Sequence, residues 1–459
     1  MAKVIVHIDL NAFFVRCEEI KDPSLVNKPV AVGHEGRSGI VSTCSYAARS
    51  FGVSSGMPMF QAKKLCPNLI IKNVDFRFYH TLSGKFFDYV KTYTKYVESA
   101  SVDECYCDFT DVLKDVKDVD VKEFFVNFQK GLYKTTGLFC SIGVGPTKFL
   151  AKMGSDYKKP NGLTIIRKRD IPNILFPLKI ESMFGVGKKT HPRLKSIGVN
   201  TIGDLFLKLE QDDIDVKNIL GKFFYTIKDW LSGKGDDEIV IEPEDPKSIG
   251  NSTTLSRDTN DFEEIKATFS ILAKTVSQRA IEENKVGTTI QIVVKEPSPS
   301  FKVHNKSITF ATPTNDAAFI LEKAINLYEK NFIDMTIRLV GVTLQNLISP
   351  KDIAVQMTIF DYEQHEEENK TKLLINDINR KLKKPLLKRA SEVKGGKKNE
   401  NKWRYWFVYP IHFSGKGFIG PNREIIYRWF ETIFDLYRKR RCRRIRRWRL
   451  IVLFKVSTF

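Results

Sequence analysis

The order of apolar and polar residues up to about residue 170 predicts strands interleaved with helices. Residues 4–9 form a short β-branched run bounded by polar residues, which is typical of a buried strand. Residues 104–110 alternate with a period of two and residues 138–144 are again apolar, so both predict strands. Helical spacing is found at residues 13–20, 77–98 and 118–135, and from Pro146, placed in a first turn, to about residue 157. This order predicts a split β-α-β sheet.

The rest of the chain changes pattern twice. Residues 171–232 are helical in pattern throughout, with a Gly-Val-Gly turn at 185–187. Residues 233–246 are acidic and contain proline, which is typical of a linker. Beyond the linker, strands are predicted at residues 288–294 and 337–344, and helices at residues 262–283 and 315–330. We therefore predict an α+β protein with several domains.

Composition and charge favour a polyanionic partner, but unevenly along the chain. The 459 residues, 42% of them hydrophobic, accommodate about two to four domains. A net charge of +20 favours binding to a polyanion. Residues 394–459 hold 18 basic and 4 acidic residues, and therefore +14 of that total. The preceding residues carry only +6, so overall basicity is weak support for DNA binding by the main body.

Cysteine usage and hydropathy favour a cytoplasmic protein. The seven cysteines are scattered, without a C-x-x-C pair or a nearby histidine pair, which predicts reduced thiols rather than a zinc site or disulfides. No apolar run reaches the ~18 residues of a membrane span. The N-terminal apolar run is too short for a signal peptide and is broken by Asp9. We expect a cytoplasmic monomer.

Three carboxylates at strand ends form the candidate catalytic site. Asp9 closes the first predicted strand, and Asp103 and Glu104 begin another. Two carboxylates about 4 Å apart repel by roughly 4 kcal/mol at an effective dielectric of about 20, so three clustered acids favour cations. Oxygen ligands near phosphate suit Mg²⁺, and two such ions would serve nucleotidyl transfer. Taken alone, however, an Asp-Glu pair is more often simply solvated.

The sequence around these acids resembles that of Y-family DNA polymerases. His7-Ile8-Asp9-Leu10-Asn11-Ala12-Phe13-Phe14, followed by Glu18-Glu19, is similar to the opening of the family, and Ser101-Val102-Asp103-Glu104 to its second acidic motif. Ser141-Ile142-Gly143-Val144, with Lys148, Lys152, Asp156 and Lys159-Pro160-Asn161-Gly162, resembles its third motif. Further similar strings are Lys28-Pro29-Val30-Ala31-Val32-Gly33, Ser45-Tyr46-Ala47-Ala48-Arg49, Phe51-Gly52-Val53, Gly56-Met57-Pro58-Met59 and Leu65-Cys66-Pro67. The resemblance runs from residue 3 to about residue 390 and is greatest with the bacterial polymerase IV branch.

The resemblance implies an error-prone, right-hand polymerase that adds dNTPs to primer-template DNA at lesions, without proofreading. A polymerase that needs accessory subunits is a variant of this interpretation. A non-catalytic DNA-binding scaffold that keeps the fold is the alternative, and the intact acids argue against it. The implied divisions are palm 1–10 and 76–170, fingers 11–75, helical thumb 171–232, linker 233–246 and little finger 247–348.

The resemblance also implies the metal ligands. Asp9, Asp103 and the backbone carbonyl of Leu10 would hold two Mg²⁺ ions, and Glu104 would complete the site on the side of the primer 3′-hydroxyl. Asn11 departs from the Asp of many relatives, at a position that is not a metal ligand by resemblance.

Substrate contacts follow in the same way. Phe14 matches the family's steric gate, whose ring leaves no room for a 2′-hydroxyl, whereas its neighbour Phe13 better suits a core position. Hydroxyl and cationic side chains suit a triphosphate, and such contacts are implied for Thr43, Tyr46, Arg49 and Lys159.

Two further motifs concern DNA and a sliding clamp. Gly185-Val186-Gly187, followed by Lys188, resembles a helix-hairpin-helix that binds phosphate through backbone N–H groups, while an ordinary interhelical turn has the same pattern. Residues 356–360 resemble the clamp-binding peptide of bacterial polymerases, with Gln356, Ile359 and Phe360 as the contacts. An edge strand of the little finger is the alternative for that segment.

The segments after the little finger are the least informative. Residues 349–393 form a tail that carries the clamp-binding peptide. Residues 394–459 contain four of the five tryptophans, and nine basic residues fall between Arg438 and Arg449. This composition fits a nucleic-acid-binding segment, a disordered extension or out-of-frame translation past a normal end, so we assign it no function.

Overall fold

The computed structural model describes residues 3–114, 121–242 and 244–352, which belong to one compact unit. Within these ranges three sheets form, and every helix is too short or too polar to span a bilayer. The structure is therefore a mixed α+β fold, as the sequence predicts. The predicted clamp contacts Gln356, Ile359 and Phe360 and the extension 394–459 lie outside the described residues.

The N-terminal region builds a five-stranded sheet and a three-stranded sheet. Its strands are β1 (Ile5–Leu10), β2 (Val30–Gly33), β3 (Val41–Cys44), β4 (Ile70–Lys72), β5 (Val97–Ser99), β6 (Glu104–Asp108), β7 (Cys140–Gly145) and β8 (Leu163–Ile165). Its helices are α1 (Phe13–Lys21), α2 (Tyr46–Arg49), α3 (Met59–Leu65), α4 (Phe76–Lys91), α5 (Thr110–Lys114), α6 (Val121–Thr136) and α7 (Lys148–Tyr157). The large sheet has the order β5-β6-β1-β7-β8, which puts the N-terminal strand at its centre, and the small sheet has the order β3-β2-β4.

Two predicted helix boundaries in this region are wrong. The helix predicted over residues 77–98 ends at Lys91, and Val97–Ser99 pairs with β6 as an edge strand. Helix α7 begins after Pro146 rather than at it, because Thr147 is the N-cap and its hydroxyl accepts from the Leu150 N–H at 3.3 Å. The start of α7 is therefore determined by the Thr147 cap and not by the preference of proline for the first turn of a helix.

Helix α7 packs closely on β7 because both elements carry glycine at the contact. A Cβ on Gly143 would lie 1.9 Å from the carbonyl oxygen of Ala151 and 2.2 Å from the backbone nitrogen of Ser155. A Cβ on Gly154 would lie 3.0 Å from the Gly143 Cα. These neighbours are backbone atoms, which cannot give way unless the whole helix moves. The close contact brings the side chains of Ser155 and Lys152 against the centre of the sheet.

The second region is helical, as the sequence predicts. Its helices form a separate apolar core, and a capping box of Thr201 and Asp204 begins one of them. Short 3₁₀ turns at Lys168–Asp170 and Ile180–Ser182 precede or interrupt this part. The helices are α8 (Ile171–Ile174), α9 (His191–Ser196), α10 (Ile202–Glu210), α11 (Ile214–Leu220) and α12 (Phe223–Leu231).

The third region is a four-stranded antiparallel sheet packed against two helices. Its elements are β9 (Ser248–Thr259), α13 (Phe262–Glu282), β10 (Val286–Lys295), β11 (Val303–Thr314), α14 (Ala317–Phe332) and β12 (Ile337–Ile348). The strand order is β11-β10-β12-β9. The sequence predicted the two central strands and both helices but neither edge strand.

Candidate active site

Strand pairing brings the three predicted carboxylates together at one end of the large sheet. Asp9 on β1 lies directly opposite Glu104 on β6. The backbone N–H of Leu10 donates to the Asp103 carbonyl at 2.9 Å, which holds Asp103 beside the end of β1. Asp9 is only 5% exposed, whereas Asp103 and Glu104 are half-buried. The site is thus formed by residues that are far apart in sequence.

Two lysines place positive charge among these acids. Lys152 Nζ lies 3.1 Å from Asp9 Oδ2 and 3.0 Å from Glu104 Oε2. Lys159 Nζ lies 2.6 Å from the same Asp9 oxygen and 2.9 Å from Asp156 Oδ1. Lys152 is 8% exposed, and a buried cation needs such partners. We assigned no role to Lys152 or Asp156 from the sequence, although their i, i+4 spacing on a predicted helix was a visible signal.

His7 lies beneath the same carboxylates and was also left without a role. It precedes Asp9 by two residues on β1, so both side chains lie on one face of the sheet. His7 Nδ1 is 2.8 Å from the Ser155 hydroxyl, and Nε2 is 3.3 Å from Glu104 Oε2. The ring is fully buried, and Nε2 meets no hydrogen-bond criteria with any described residue.

Burial and the lysines act in opposite directions on the acids. Burial raises the pKa of Asp9 to about 6, against the lowering effect of Lys159 and Lys152. Burial also opposes ionisation of Glu104, but His7 and Lys152 outweigh it and hold that pKa well below its usual range. Burial raises the pKa of Asp103 as well. Additional positive charge would therefore stabilise the ionised forms of Asp9 and Asp103.

The donor set fits a hard divalent cation. Asp9, Glu104 and His7 each offer a ligand atom, and these atoms lie within 4.8 Å of one another. Asp103 Oδ1 accepts from the Ser101 hydroxyl at 2.6 Å, which leaves its second oxygen for another ligand. Carboxylate oxygens are the ligands that Mg²⁺ and Ca²⁺ prefer. The ammonium groups of Lys152 and Lys159 already contact these carboxylates, so the cluster is a place where positive charge is stabilised.

A cavity of about 240 Å³ opens beside the carboxylates. It is lined from two sides, because Thr43 on β3 and Tyr46 and Arg49 of α2 line it together with the ends of β1 and β6. All residues predicted to bind metal or triphosphate, and the predicted gate, line this one cavity: Asp9, Leu10, Phe14, Thr43, Tyr46, Arg49, Asp103, Glu104 and Lys159. Their individual roles stay predictions, since a shared location does not test them.

Helix α2 presents its two polar side chains in a defined way. Ser45 is the N-cap, and its hydroxyl accepts from the Ala48 N–H at 3.1 Å. The Arg49 guanidinium lies 4.7 Å from the centroid of the Tyr46 ring, and its Nε donates to the Cys44 carbonyl at 3.3 Å. Burial raises the pKa of Tyr46, so its hydroxyl stays protonated at neutral pH and can donate a hydrogen bond.

The two adjacent phenylalanines of α1 have different surroundings. Phe13 is 2% exposed and belongs to the apolar core, whereas Phe14 lines the cavity. The Phe14 ring stacks on Tyr79 with centroids 4.6 Å apart, and Phe76 packs edge-on at 6.0 Å. The Tyr79 hydroxyl donates to Glu18 Oε1 at 2.8 Å. Phe14 therefore rests on an aromatic ring whose own orientation is held by a hydrogen bond.

Asn11 holds the turn between β1 and α1. Its Nδ2 donates to Asn161 Oδ1 at 2.6 Å, and its Oδ1 accepts from the Ser141 hydroxyl at 2.8 Å. The next residue, Ala12, has φ 45° and ψ 47°, a left-handed conformation that is uncommon for a residue other than glycine. An aspartate at position 11 could accept from Ser141 but could not donate to Asn161, so the amide has a structural use here.

The residues predicted to bind DNA backbone lie in the helical region, before α9. Gly185 has φ 89°, which favours glycine, and a Cβ on Gly187 would meet no neighbour within 4 Å. Lys188 follows in an exposed position. None of the three is among the residues that line the cavity. Within the described residues, those predicted to bind metal and triphosphate therefore lie together, and the turn predicted to bind phosphate does not line their cavity.

Two family models match the chain: the impB/mucB/samB family over residues 8–156, and the C-terminal domain of that family over residues 246–359. DNA polymerase IV of Bacillus velezensis is 36% identical over 407 residues, which cover 88% of this chain and 95% of the relative. DNA polymerase IV of Ureaplasma parvum is 33% identical over 360 residues, with 78% and 98% covered.

Solved structures agree on the fold. A chimeric Y-family DNA polymerase superposes with a TM-score of 0.67 at 24% identity, over 75% of this chain and 99% of that one. An insertion ternary complex of Dbh DNA polymerase gives a TM-score of 0.51 at the same identity and coverage. At this level of identity, the likeness is one of fold alone.

Proposed function

The chain belongs to the impB/mucB/samB family, the Y-family DNA polymerases, and we propose that Asp9, Asp103 and Glu104 catalyse its addition of dNTPs to a primer 3′ end. It is a DNA-directed DNA polymerase that acts in translesion synthesis. The observation that carries the assignment of residues is the single cavity that the acids share with the expected triphosphate ligands. Error-prone synthesis without proofreading is part of the proposal.

The proposal assigns a right-hand layout to the three regions. The large sheet and its helices are the palm (1–10 and 76–170), and the segment 11–75 with the small sheet is the fingers. The helical region is the thumb (171–232), the acidic segment is a linker (233–246), and the C-terminal α+β region is the little finger (247–348). The cavity then lies where palm and fingers meet, since its lining comes from both.

Two Mg²⁺ ions are proposed for the carboxylate cluster. Asp9 and Asp103 would hold them together with the Leu10 carbonyl, and Glu104 would lie on the side of the primer 3′-hydroxyl. When bound, the ions lower the pKa of that hydroxyl and stabilise charge on the leaving pyrophosphate. The fit rests on the oxygen donors at the two strand ends and on the burial of Asp9, which leaves its anion in need of positive charge.

The remaining side chains of the cavity would bind the incoming nucleotide. Tyr46 and Thr43 supply hydroxyl groups, and Arg49 supplies a planar cation, which together suit a triphosphate. The Lys159 side chain is 27% exposed and pairs with Asp9 here, so its ammonium group can turn to phosphate once another cation neutralises Asp9. Phe14 would lie beneath the sugar and exclude a 2′-hydroxyl.

Partners follow from the same proposal. Primer-template DNA would contact the phosphate-binding turn of Gly185, Gly187 and Lys188 and the strands of the little finger. A charge of only +6 outside the extension predicts modest affinity with marked salt dependence, and therefore distributive synthesis by a monomer. A sliding clamp bound through Gln356, Ile359 and Phe360 would keep the enzyme on its template.

Primer extension with Mg²⁺ tests the catalytic assignment, comparing wild type with Asp103→Ala. We expect the variant to lose activity by at least about a thousandfold, because a metal-holding carboxylate is removed from the reacting centre. Asp88→Ala is the matched control, since Asp88 is an exposed acid on α4 that does not line the cavity. Equal extension by wild type and Asp103→Ala would exclude the proposed role.

The scaffold alternative makes a different prediction in the same assay. A non-catalytic protein would bind primer-template DNA but extend no primer, whichever residue is changed. Extension by the wild type therefore separates a scaffold from an enzyme whose catalytic residues are misassigned, and DNA binding by fluorescence anisotropy shows that a protein without extension is still folded and bound.

A further inference from the structure

Two buried groups hold the Glu104 carboxylate by the same oxygen. Lys152 Nζ lies 3.0 Å from Oε2, and His7 Nε2 lies 3.3 Å from that same atom. Neither contact involves the second oxygen, Oε1, and Glu104 lines the cavity. A carboxylate restrained at one oxygen keeps the other free for a ligand in a defined orientation.

The imidazole of His7 is itself restrained from behind. Its Nδ1 is 2.8 Å from the hydroxyl of Ser155, which is 1% exposed. His7 lies opposite Gly143 in the pairing of β1 with β7, and the missing side chain there lets α7 bring Ser155 to the ring. The close packing of α7 on β7 at Gly143 thus places two side chains of one helix, with Ser155 against His7 and Lys152 against Glu104.

The negative charge of Glu104 favours one tautomer of His7. An N–H on Nε2 would be attracted to the anionic Glu104 oxygen 3.3 Å away, although the two atoms do not meet hydrogen-bond geometry in this structure, whereas a lone pair there would be repelled. With the hydrogen on Nε2, Nδ1 becomes an acceptor, and the Ser155 hydroxyl, whose oxygen also lies 2.9 Å from the Lys152 carbonyl oxygen, must turn its single hydrogen from that carbonyl to Nδ1. Full burial of the ring removes water as another partner. This tautomer would allow a donor chain from Ser155 through His7 to Glu104.

We propose that His7, supported by Ser155, is a positioning residue that orients Glu104 for nucleotidyl transfer. The inference rests on the function proposed above for Glu104. His7 contacts neither substrate nor the reacting atoms; it acts by restricting the carboxylate. A misplacement of about 1 Å at a catalytic group is enough to cost about a hundredfold in rate.

Steady-state kinetics on full-length variants test this role. His7→Phe keeps a ring but removes the donor, and we expect kcat to fall by about ten- to a hundredfold with the KM for dNTP nearly unchanged. His7→Gln can put an amide N–H near the place of Nε2 and should recover most of the loss. Thr164→Val is the control, because the Thr164 hydroxyl is buried on β8 without a partner among the described residues.

A double-mutant cycle with Glu104→Gln separates positioning from general stability. If His7 acts through Glu104, His7→Phe causes no further loss of kcat in a Glu104→Gln background. Ser155→Ala, a smaller change, should lower kcat several-fold and keep the thermal midpoint close to wild type. Additive losses, or a drop in the thermal midpoint that Gln at position 7 does not reverse, would overturn the proposal.

A measurement without turnover completes the test. Nitrogen NMR of selectively labelled histidines, assigned with the His7→Gln variant, should report a hydrogen on Nε2 and an unprotonated Nδ1. The Nδ1–H tautomer would contradict the donor chain. If Glu104→Gln itself leaves kcat unchanged, the function proposed for Glu104 has failed; if Glu104→Gln is impaired but His7→Phe is not, only the positioning role has failed.

Discussion

At the residue scale, the choice between deoxyribose and ribose would depend on one aromatic ring. Phe14 stacks on Tyr79, and the hydrogen bond from Tyr79 to Glu18 limits how far that support can move. A ring that is held in place discriminates better between deoxyribose and ribose than a mobile ring, because it cannot move away to make room for a 2′-hydroxyl. The neighbouring Phe13 is in the core and cannot have this role.

We predict that Phe14→Ala admits ribonucleotides. Removing the ring opens space under the sugar, so the preference for dNTP over rNTP, measured as the ratio of kcat/KM values, should fall by on the order of a hundredfold. Phe13→Leu is the matched control: it should lower the thermal midpoint through lost core packing but keep sugar selectivity. Unchanged selectivity in Phe14→Ala would show that another group excludes the 2′-hydroxyl.

The charges of the site illustrate what could be found from residue types alone. Asp9, Asp103 and Glu104 could be identified only through the surrounding strings, which resemble the motifs of a known family, because acidic residues by themselves are usually solvated. Lys152 was part of a quoted motif, yet its contact with two of the acids depends on a helix that approaches the sheet. The spacing of residues within α7 indicates which side chains share a face of the helix, but not which strand that face packs against.

At the element scale, the packing of α7 on β7 controls the site. One helix supplies Lys152 to the acids and Ser155 to His7, so a displacement of the helix would disturb both. The absence of a side chain at Gly143 permits this approach, since a Cβ there would collide with two backbone atoms of the helix. Geometry at the reacting centre therefore depends on a residue that does not line the cavity.

We predict that Gly143→Ala lowers the free energy of unfolding by about 1–3 kcal/mol or more, because the helix must move to accommodate the methyl group. Activity per folded molecule should fall as well. Gly84→Ala is the contrasting change: Gly84 is an exposed residue within α4, and a Cβ there would meet nothing within 4 Å. The free energy of unfolding of Gly84→Ala should rise by about 0.5–1 kcal/mol. Urea unfolding measures the free energy of unfolding of both variants. If both substitutions changed this free energy in the same direction, the packing role of Gly143 would be contradicted.

Three of the strands that the sequence did not predict were missed for one of two physical reasons. β9 and β11 lie at the edges of the C-terminal sheet and are largely exposed, so they lack an apolar run. β2 is buried at every position and short, so it lacks alternation. A sequence pattern predicts a strand when the strand alternates or carries an apolar run of sufficient length, and these three strands have neither.

At the scale of the whole molecule, charged contacts connect the regions. Lys148 Nζ lies 2.7 Å from Glu98 on the large sheet and 3.0 Å from Asp236 in the acidic segment. The N–H of Val240 donates to the same Glu98 carboxylate at 2.8 Å. The acidic composition of this segment thus has a structural use, because Lys148 at the start of α7 pairs with Asp236.

We predict that Gln356→Ala combined with Phe360→Ala abolishes stimulation of synthesis by a bacterial sliding clamp. The two side chains would fill separate pockets on the clamp, and their loss removes the anchor. Thr358→Ala, a change within the same segment, should keep stimulation. Processivity measured with and without clamp checks this, and full stimulation of the double variant would show that the segment has another use.

The sequence by itself determined the family, the acidic motifs and the alternation of helix and strand, because side-chain type and local spacing report chemistry and burial directly. Tertiary structure decided which residues meet: that Asp9 lies opposite Glu104, that His7 and Lys152 reach the same oxygen of Glu104, and that Tyr79 supports Phe14. Those contacts depend on strand register and on how closely a helix approaches a sheet. Both are set by packing between residues distant in sequence, which no local pattern records.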